Sequence, residues 1–321
     1  MIAVCPLAAE SLGVRSVATY VECGDTRVLI DPGASLAASR FGLPPAEEEW
    51  QALRRCNERI SGYAARATFV FVSHYHEDHF RYDPTVYAGR TVWAKDPKRM
   101  LPARQEARAG ELWKAIEARC RLDAAEGRRF ETADCVLQAS PPLGHGLEGT
   151  GLGYVVALTV ADRRAGTRFV HASDVQGPLS PVAAAYLARE RPTILYLSGP
   201  PAYLEAQVGR ALIDRGIDQL LRIIDQTGCR VIMDHHALRA LDYPERFRRL
   251  WETGRVVTAA GYLGMPDACL EARRRELWTT RRKPPGRMPA RAPGSSLRRD
   301  PASDTMAPRR TFRRAKGGGS R

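Results

Sequence analysis

Short apolar runs alternate with longer segments of helical periodicity across the first 280 residues, and Gly, Pro or Asp closes most of the runs. Alternating apolar and polar positions over 17–22 and 27–30, with Gly24-Asp25 between them, predict a hairpin. Residues 45–65 read as a helix: Pro45 stands at its start, Glu47, Glu48 and Glu49 fall in its first turn, and arginines follow. The run TFVFV at 68–72 is apolar almost throughout, which predicts a strand covered on both faces. Thr91–Ala94 is a further strand and 103–121 a further helix. Residues 129–139, 153–161 and 167–171 predict a group of antiparallel strands. Helix 181–190, strand 193–197, helix 205–227, strand 230–233, helix 238–251 and strand 255–260 complete the series. Strands in two groups, each followed by helices, imply two sheets with helices outside them.

Beyond residue 280 the apolar periodicity stops. The segments KPPGRMPARAPGSSLRRDPASD and AKGGGSR cannot bury enough apolar surface to offset the entropy of ordering. The chain therefore divides into a folded domain, 1–280, and a basic tail expected to be disordered, 281–321. This division changes the meaning of the net charge of +13. Thirteen of the 49 Lys/Arg and two of the 36 Asp/Glu lie in the tail, leaving 36 against 34 in the domain. The domain is close to neutral. A solvated extension is the plain reading of the tail, and loose electrostatic attachment to RNA, DNA or an acidic surface is the sharper one.

Seven cysteines, odd in number and without a CxxC pair, argue for reduced thiols rather than a disulfide framework or a zinc knuckle. The N-terminus MIAVCPLAAE has no basic region and too short an apolar run for a signal peptide. The longest apolar stretch, 154–160, falls far below the roughly 20 residues that cross a bilayer. These features predict a cytoplasmic protein without a membrane partner.

The candidate chemistry lies in the histidines. All seven fall in four places: 74/76/79, 145, 171 and 235/236. In SHYHEDH at 73–79, directly after the 68–72 strand, residues two apart point the same way, so His74 and His76 project together. Two imidazoles on a stiff strand end suit a metal ion. The chain then turns, and Asp78 and His79 can face a second one. PPLGHG puts His145 on a loop, FVHASD puts Asp174 just past a strand, and VIMDHH puts His235 and His236 at the end of another. Ligands at strand ends form a site on one rim without breaking the core. GTGLG at 149–153 precedes a strand rather than opening a helix, so it reads as a turn and not a phosphate loop.

These residues resemble the metallo-β-lactamase superfamily. Its H-x-H-x-D-H motif is matched by His74, His76, Asp78 and His79, and its early Asp by Asp31 in VLIDPG. Its later single ligands are matched in order by His145, Asp174, and His235 or His236, and the match runs roughly from Leu12 to Met265. SLGVRS, SHYHEDH, SDVQGP, LSGPPAYL and DHH-xx-R are similar to one branch of that superfamily, a branch without an assigned substrate.

The resemblance implies an α/β fold, the four-layer αββα sandwich, with two divalent metal ions at one edge between the sheets. It implies His74, His76 and His145 around one metal, Asp78, His79 and the last His around the other, and Asp174 bridging them. Asp31 would orient ligands through its carboxylate. Adjacent residues at a strand end point apart, so one of His235 and His236 is expected to face the metals. The T-H-x-S-x-R ending of tRNA 3′-processing enzymes favours His235, with Arg239 matching the Arg. His171 matches no ligand and reads as a support behind the site or as a core hydrogen bond. Zinc suits the nitrogen and oxygen donors, with iron or manganese as alternatives. His79 speaks against the lactamase subclass that uses a Cys for the second metal. His76 speaks against diiron oxygen-reducing relatives with Glu at that place.

The implied chemistry is hydrolysis. Two cations lower the pKa of a shared water, Asp174 holds them together and Asp78 aims the attack at an ester or phosphodiester. A nuclease acting on RNA or DNA is the alternative enzyme, and a catalytically silent metal-binding or interaction protein is the alternative from another class. Deleting 281–321 is expected to weaken any RNA or DNA binding and to flatten its salt dependence, measured by filter binding at two ionic strengths. Unchanged, salt-insensitive binding would exclude the tail as its source.

Overall fold

The computed structural model describes residues 1–280, and the expected basic tail lies outside the described residues. Six strands form the first sheet in chain order: β1 (Ile2–Pro6), β2 (Thr19–Cys23), β3 (Thr26–Ile30), β4 (Phe69–Val72), β5 (Thr91–Ala94) and β6 (Arg121–Ala124). The first three pair antiparallel and β3 to β6 pair parallel. Parallel neighbours need crossovers, and α1 (Glu47–Ala64) and α2 (Ala103–Ile116) supply two of them.

The second sheet uses β7 (Arg129–Glu131), β8 (Cys135–Ala139), β11 (Leu158–Asp162), β12 (Arg168–Ser173), β13 (Ile194–Ser198), β14 (Arg230–Asp234) and β15 (Val256–Val257). A small separate pair, β9 (Leu143–Gly144) with β10 (Tyr154–Val155), flanks it. The spatial order is β15-β14-β13-β12-β11-β8-β7, antiparallel from β7 to β12 and parallel from β12 to β15. The parallel half is connected through α3 (Pro181–Glu190), α4 (Glu205–Val208), α5 (Arg210–Thr227), α6 (Tyr243–Arg246) and α7 (Arg248–Trp251). The short α8 (Ala259–Tyr262) and then α9 (Arg274–Thr280) close the described chain.

Three apolar cores correspond to three interfaces. One lies between α1 and α2 and the outer face of the first sheet, joining Ala52, Ile60 and Leu112 to Leu29, Val70 and Val92. A second lies between the sheets, where Val28, Ile30, Phe71 and Trp93 meet Leu137, Leu158, Phe169 and Ile232. The third joins α3 and α5 to the far face of the second sheet through Leu187, Ile217, Leu220, Val170, Leu195 and Val231. Three such interfaces define four layers, helix–sheet–sheet–helix. This is the αββα sandwich that the motifs imply.

The expected hairpin forms in the expected register, with Cys23 opposite Thr26. Elsewhere tertiary context moves the boundaries. The expected helix 103–121 stops at Ile116, and Arg121 to Ala124 pair instead with β5. The expected helix 205–227 is split by Gly209, whose φ of 87° no helix accommodates. The expected strand 129–139 is a hairpin of two strands. Residues 238–251 begin at the end of a 3-10 turn (His235–Leu238) and form the short α6 and α7 rather than one helix, and of 255–260 only Val256–Val257 pairs. Among the described residues no helix is long and apolar enough to cross a membrane.

The segments that follow β3, β4, β12, β13 and β14 all leave at the C-terminal ends of parallel-paired strands, where crevices form in α/β sheets. The loop after β3 is held from outside by α9. Fully buried Arg274 bonds Glu49 at 2.6 and 2.8 Å and donates to the carbonyls of Ala37 and Leu43, while Trp278 donates to Pro44. Arg274→Ala strands the Glu49 carboxylate in the interior and is expected to cost about 3–5 kcal/mol in denaturant unfolding. A loss below about 1 kcal/mol would show that the ion pair does not hold this loop.

Candidate metal centre

β4 ends at Val72, and the next residues carry the first cluster. His74 and His76 turn towards each other, with Nε2 of the first 3.1 Å from Nδ1 of the second. Gly33, from VLIDPG, makes room for this segment: a Cβ there would lie 2.3 Å from the Phe80 nitrogen and 2.6 Å from that of His79. The glycine is a packing requirement of the site.

The Asp174 carboxylate, at the end of β12, is the meeting point. Its Oδ2 lies 3.2 Å from His145 Nε2, 3.3 Å from His79 Nε2, 3.7 Å from His74 Nε2, 3.7 Å from His236 Nε2 and 3.8 Å from His235 Nε2. His74, His76, His145 and Asp174 bring ligand atoms within 4.8 Å of one another, and so do Asp78, His79 and His235. All of these residues are buried except His76 and Asp78, which are partly exposed.

Burial makes this cluster informative. Among the described residues, His79 Nε2, His145 Nε2, Asp174 Oδ1 and His236 Nδ1 are buried without a hydrogen-bond partner. Unpaired buried polar atoms are costly, so such a convergence calls for something they can all bind. Burial pushes His74 and His236 well below the usual imidazole range and His76 down to about 3, so these rings stand neutral, the form that ligates a cation. Burial acts the opposite way on Asp174, but the surrounding histidines, His79 and His235 among them, outweigh it and hold the carboxyl well below its usual range. The donor set of imidazole nitrogens and carboxylate oxygens fits one or more divalent transition-metal cations.

Behind the cluster sits Asp31. Its Oδ1 accepts the Ser73 amide at 2.7 Å, and its Oδ2 accepts the Ser73 hydroxyl at 2.6 Å, the Ser173 hydroxyl at 2.9 Å and His79 Nδ1 at 3.0 Å. The Ser73 hydroxyl also meets His74 Nδ1 at 2.9 Å. One carboxylate thus sets the ring of His79 directly and that of His74 through a serine. Gln105 approaches His76 Nε2 at 3.3 Å, and Gln176 approaches His145 Nδ1 at 3.4 Å. His171 stands apart, bonded at 3.1 Å to the carbonyl of Val17.

His235 and His236 depart from the strand-end expectation. β14 stops at Asp234, His235 takes φ 58°, and a 3-10 turn follows. The two rings stack at 4.4 Å between centroids, and both face Asp174. They differ in their other partners. His235 Nδ1 lies 3.3 Å from Glu10 Oε2, and its Nε2 lies 3.3 Å from Asp78 Oδ2 and 3.0 Å from Arg239 Nη2. His236 has no such pairing. Ser73, Ser173, Gln105, Gln176 and Glu10 are absent from the sequence reading. The two serines immediately precede His74 and Asp174, which was a usable signal; nothing local marks the others.

No family model matches the chain. Its curated relatives include the UPF0282 protein of Thermococcus gammatolerans, 40% identical over 288 residues that cover 85% of this chain and 94% of the relative. The chain belongs to the UPF0282 family. The family member of Thermococcus kodakarensis matches with the same identity and coverage, and that of Methanopyrus kandleri is 38% identical over 85% of this chain and 98% of its own. Among solved structures, Tm1679, titled a metal-dependent hydrolase of the β-lactamase superfamily, aligns with TM-score 0.49 at 13% identity, over 80% of this chain and 96% of its own. Yeast PDE1 aligns with TM-score 0.48 at 12% identity, over 80% and 98%.

Asp31→Ala leaves the Ser73 and Ser173 donors and His79 Nδ1 without their acceptor. Metal affinity, measured by chelator competition, is expected to fall about 10- to 100-fold. Unchanged affinity would remove Asp31 from the centre.

Proposed function

We propose that this UPF0282 protein is a metal-dependent hydrolase with a dinuclear site that cleaves an ester or phosphodiester. The observation that carries this reading is the Asp174 carboxylate oxygen faced by five imidazole nitrogens at 3.2 to 3.8 Å. Two of those nitrogens, on His79 and His145, have no hydrogen-bond partner. Around it, His74, His76 and His145 would hold one cation, Asp78, His79 and His235 the other, and Asp174 would contact both. His235 is preferred to His236 because Glu10 fixes its Nδ1 and Asp78 lies beside its Nε2. Zinc suits these donors, with iron or manganese able to replace it.

When bound, the cations would supply Lewis acidity and lower the pKa of the attacking water towards neutrality. The chain's own residues do the rest. The partly exposed Asp78 carboxylate accepts a hydrogen bond from the attacking water and aims it. Asp31 and Glu10 keep the rings of His79 and His235 from turning, so no reorganisation is needed as charge develops. Water adds to the carbonyl carbon or phosphorus, and the ester oxygen leaves with a proton.

The test joins stoichiometry to turnover. The purified full chain is expected to bind two equivalents of metal by elemental analysis and to hydrolyse bis-p-nitrophenyl phosphate until a chelator is added. His235→Ala is expected to lose one equivalent and His236→Ala to keep both. This pair decides the assignment, because the Arg239 guanidinium shares the His235 Nε2 lone pair. Bound metal without hydrolysis of any ester, phosphodiester or thioester would replace the hydrolase by a metal-binding protein.

A further inference from the structure

The ion pairs at the rim beside His235 are unevenly shared. Three guanidiniums, Arg15, Arg40 and Arg239, face three carboxylates, Glu10, Glu271 and Asp78. Arg15 takes both oxygens of Glu271, at 2.6 and 2.7 Å. Arg239 lies 3.3 Å from Glu10. Arg40 is left 3.8 Å from a Glu271 oxygen already in use, and its guanidinium donates at 2.9 Å to the neutral carbonyl of Arg239. Among the described residues its Nε is buried without a hydrogen-bond partner, while the side chain as a whole remains 18% exposed and so can be reached.

Arg40 is also held in place. The backbones of Arg40 and Leu43 bond each other at 3.0 Å in both directions, closing a turn whose two central residues, Phe41 and Gly42, have positive φ. The guanidinium carbon sits 4.8 Å from the Phe41 ring centre and 5.1 Å from that of Tyr203. Tyr203 connects this position to the metal centre. Its hydroxyl accepts from Arg239 Nη1 at 3.2 Å, Arg239 Nη2 lies 3.7 Å from Asp78, and the Tyr203 ring is 6.4 Å from that of His236. His236, more than nine-tenths buried, has its Nδ1 unpartnered in the same region. A weakly paired guanidinium, clamped by two rings of which one, Tyr203, also borders His236, is a place prepared for negative charge.

We propose that Arg40, positioned by Phe41 and Tyr203 and assisted by His236, seats an anionic oxygen of the substrate, so that the substrate class is a phosphoester and not a neutral carboxylic ester or lactone. The position of this seat rests on the hydrolase reading, but one arm of its test does not. The metal-loaded full chain and its Arg40→Gln and Arg40→Lys variants are compared on bis-p-nitrophenyl phosphate, on neutral p-nitrophenyl acetate, and for binding of inorganic phosphate by calorimetry. Arg40→Gln is expected to lower the ratio of kcat/KM for the phosphodiester to that for the neutral ester about 10- to 100-fold, the weight of a charge-assisted hydrogen bond. Phosphate affinity falls similarly, and Arg40→Lys recovers part of both. An unchanged ratio with unchanged phosphate affinity in Arg40→Gln, at full metal content, overturns the seat. If the parent chain turns over neither ester but Arg40→Gln still loses phosphate affinity, the hydrolase reading fails and the anion seat stands.

Discussion

The Asp31 carboxylate ties the centre together. It projects from the end of β3, and its four hydrogen bonds reach Ser73 and His79 beyond β4 in the same sheet and Ser173 at the end of β12 in the other. The packing between the two sheets is largely of apolar side chains such as Ile30, Phe71, Leu158 and Phe169, which hold them together without fixing how their rims align. A carboxylate acceptor with four donors from two strand ends does fix that alignment. Histidine rings on one sheet therefore face Asp174 on the other at distances a shared cation could span. Such a hub is tolerable in a dry interior only because nearly every lone pair is used.

The neighbouring cluster obeys the opposite logic. Around Asp174 the partners approach closely but leave Asp174 Oδ1 and two ring nitrogens unpaired. A network meant only for stability would pair these atoms or replace them with apolar groups, since half-satisfied buried polar groups weaken a fold. The satisfied hub behind and the unsatisfied cluster in front divide the labour. One part is rigid, and the other is kept available for an ion.

What the sequence discloses follows the range of the interactions involved. H-x-H-x-D-H is legible because four candidate ligands fall within six residues, although β4 ends at Val72 and the strand alternation expected to align His74 and His76 does not reach them. The hairpin at Gly24-Asp25 is legible because two residues set its turn. His145 and Asp174 are legible as candidates only in company with that motif, because their approach to it depends on how the sheets pack. The mistaken inference about His235 and His236 has a local cause: alternation holds within a strand, and β14 ends one residue too early for it to apply. Glu10, Gln105 and Gln176 are beyond local reading, since each becomes significant through residues more than twenty positions away. The break at Gly209 had its marker in plain view, but helical periodicity on both sides masked it.

Charge offers the same lesson at another scale. The net charge of +13 points towards a polyanionic partner, yet most of it belongs to the tail and the domain is close to neutral. Long-range steering depends on such sums, and salt screens it within about 10 Å. Discrimination at a reacting centre depends on individual charges that are fixed and partly dry. A near-neutral domain can still hold a weakly paired guanidinium at one rim, because Arg15 occupies both oxygens of the carboxylate beside Arg40. Composition cannot reveal this, since a closer pairing of Arg40 with Glu271 would leave every count unchanged. Under the proposed seat, the selectivity of the centre follows from which arginine pairs closely with Glu271, and the turn at Phe41-Gly42 and the clamp of α9 on the loop that carries it hold Arg40 in its place.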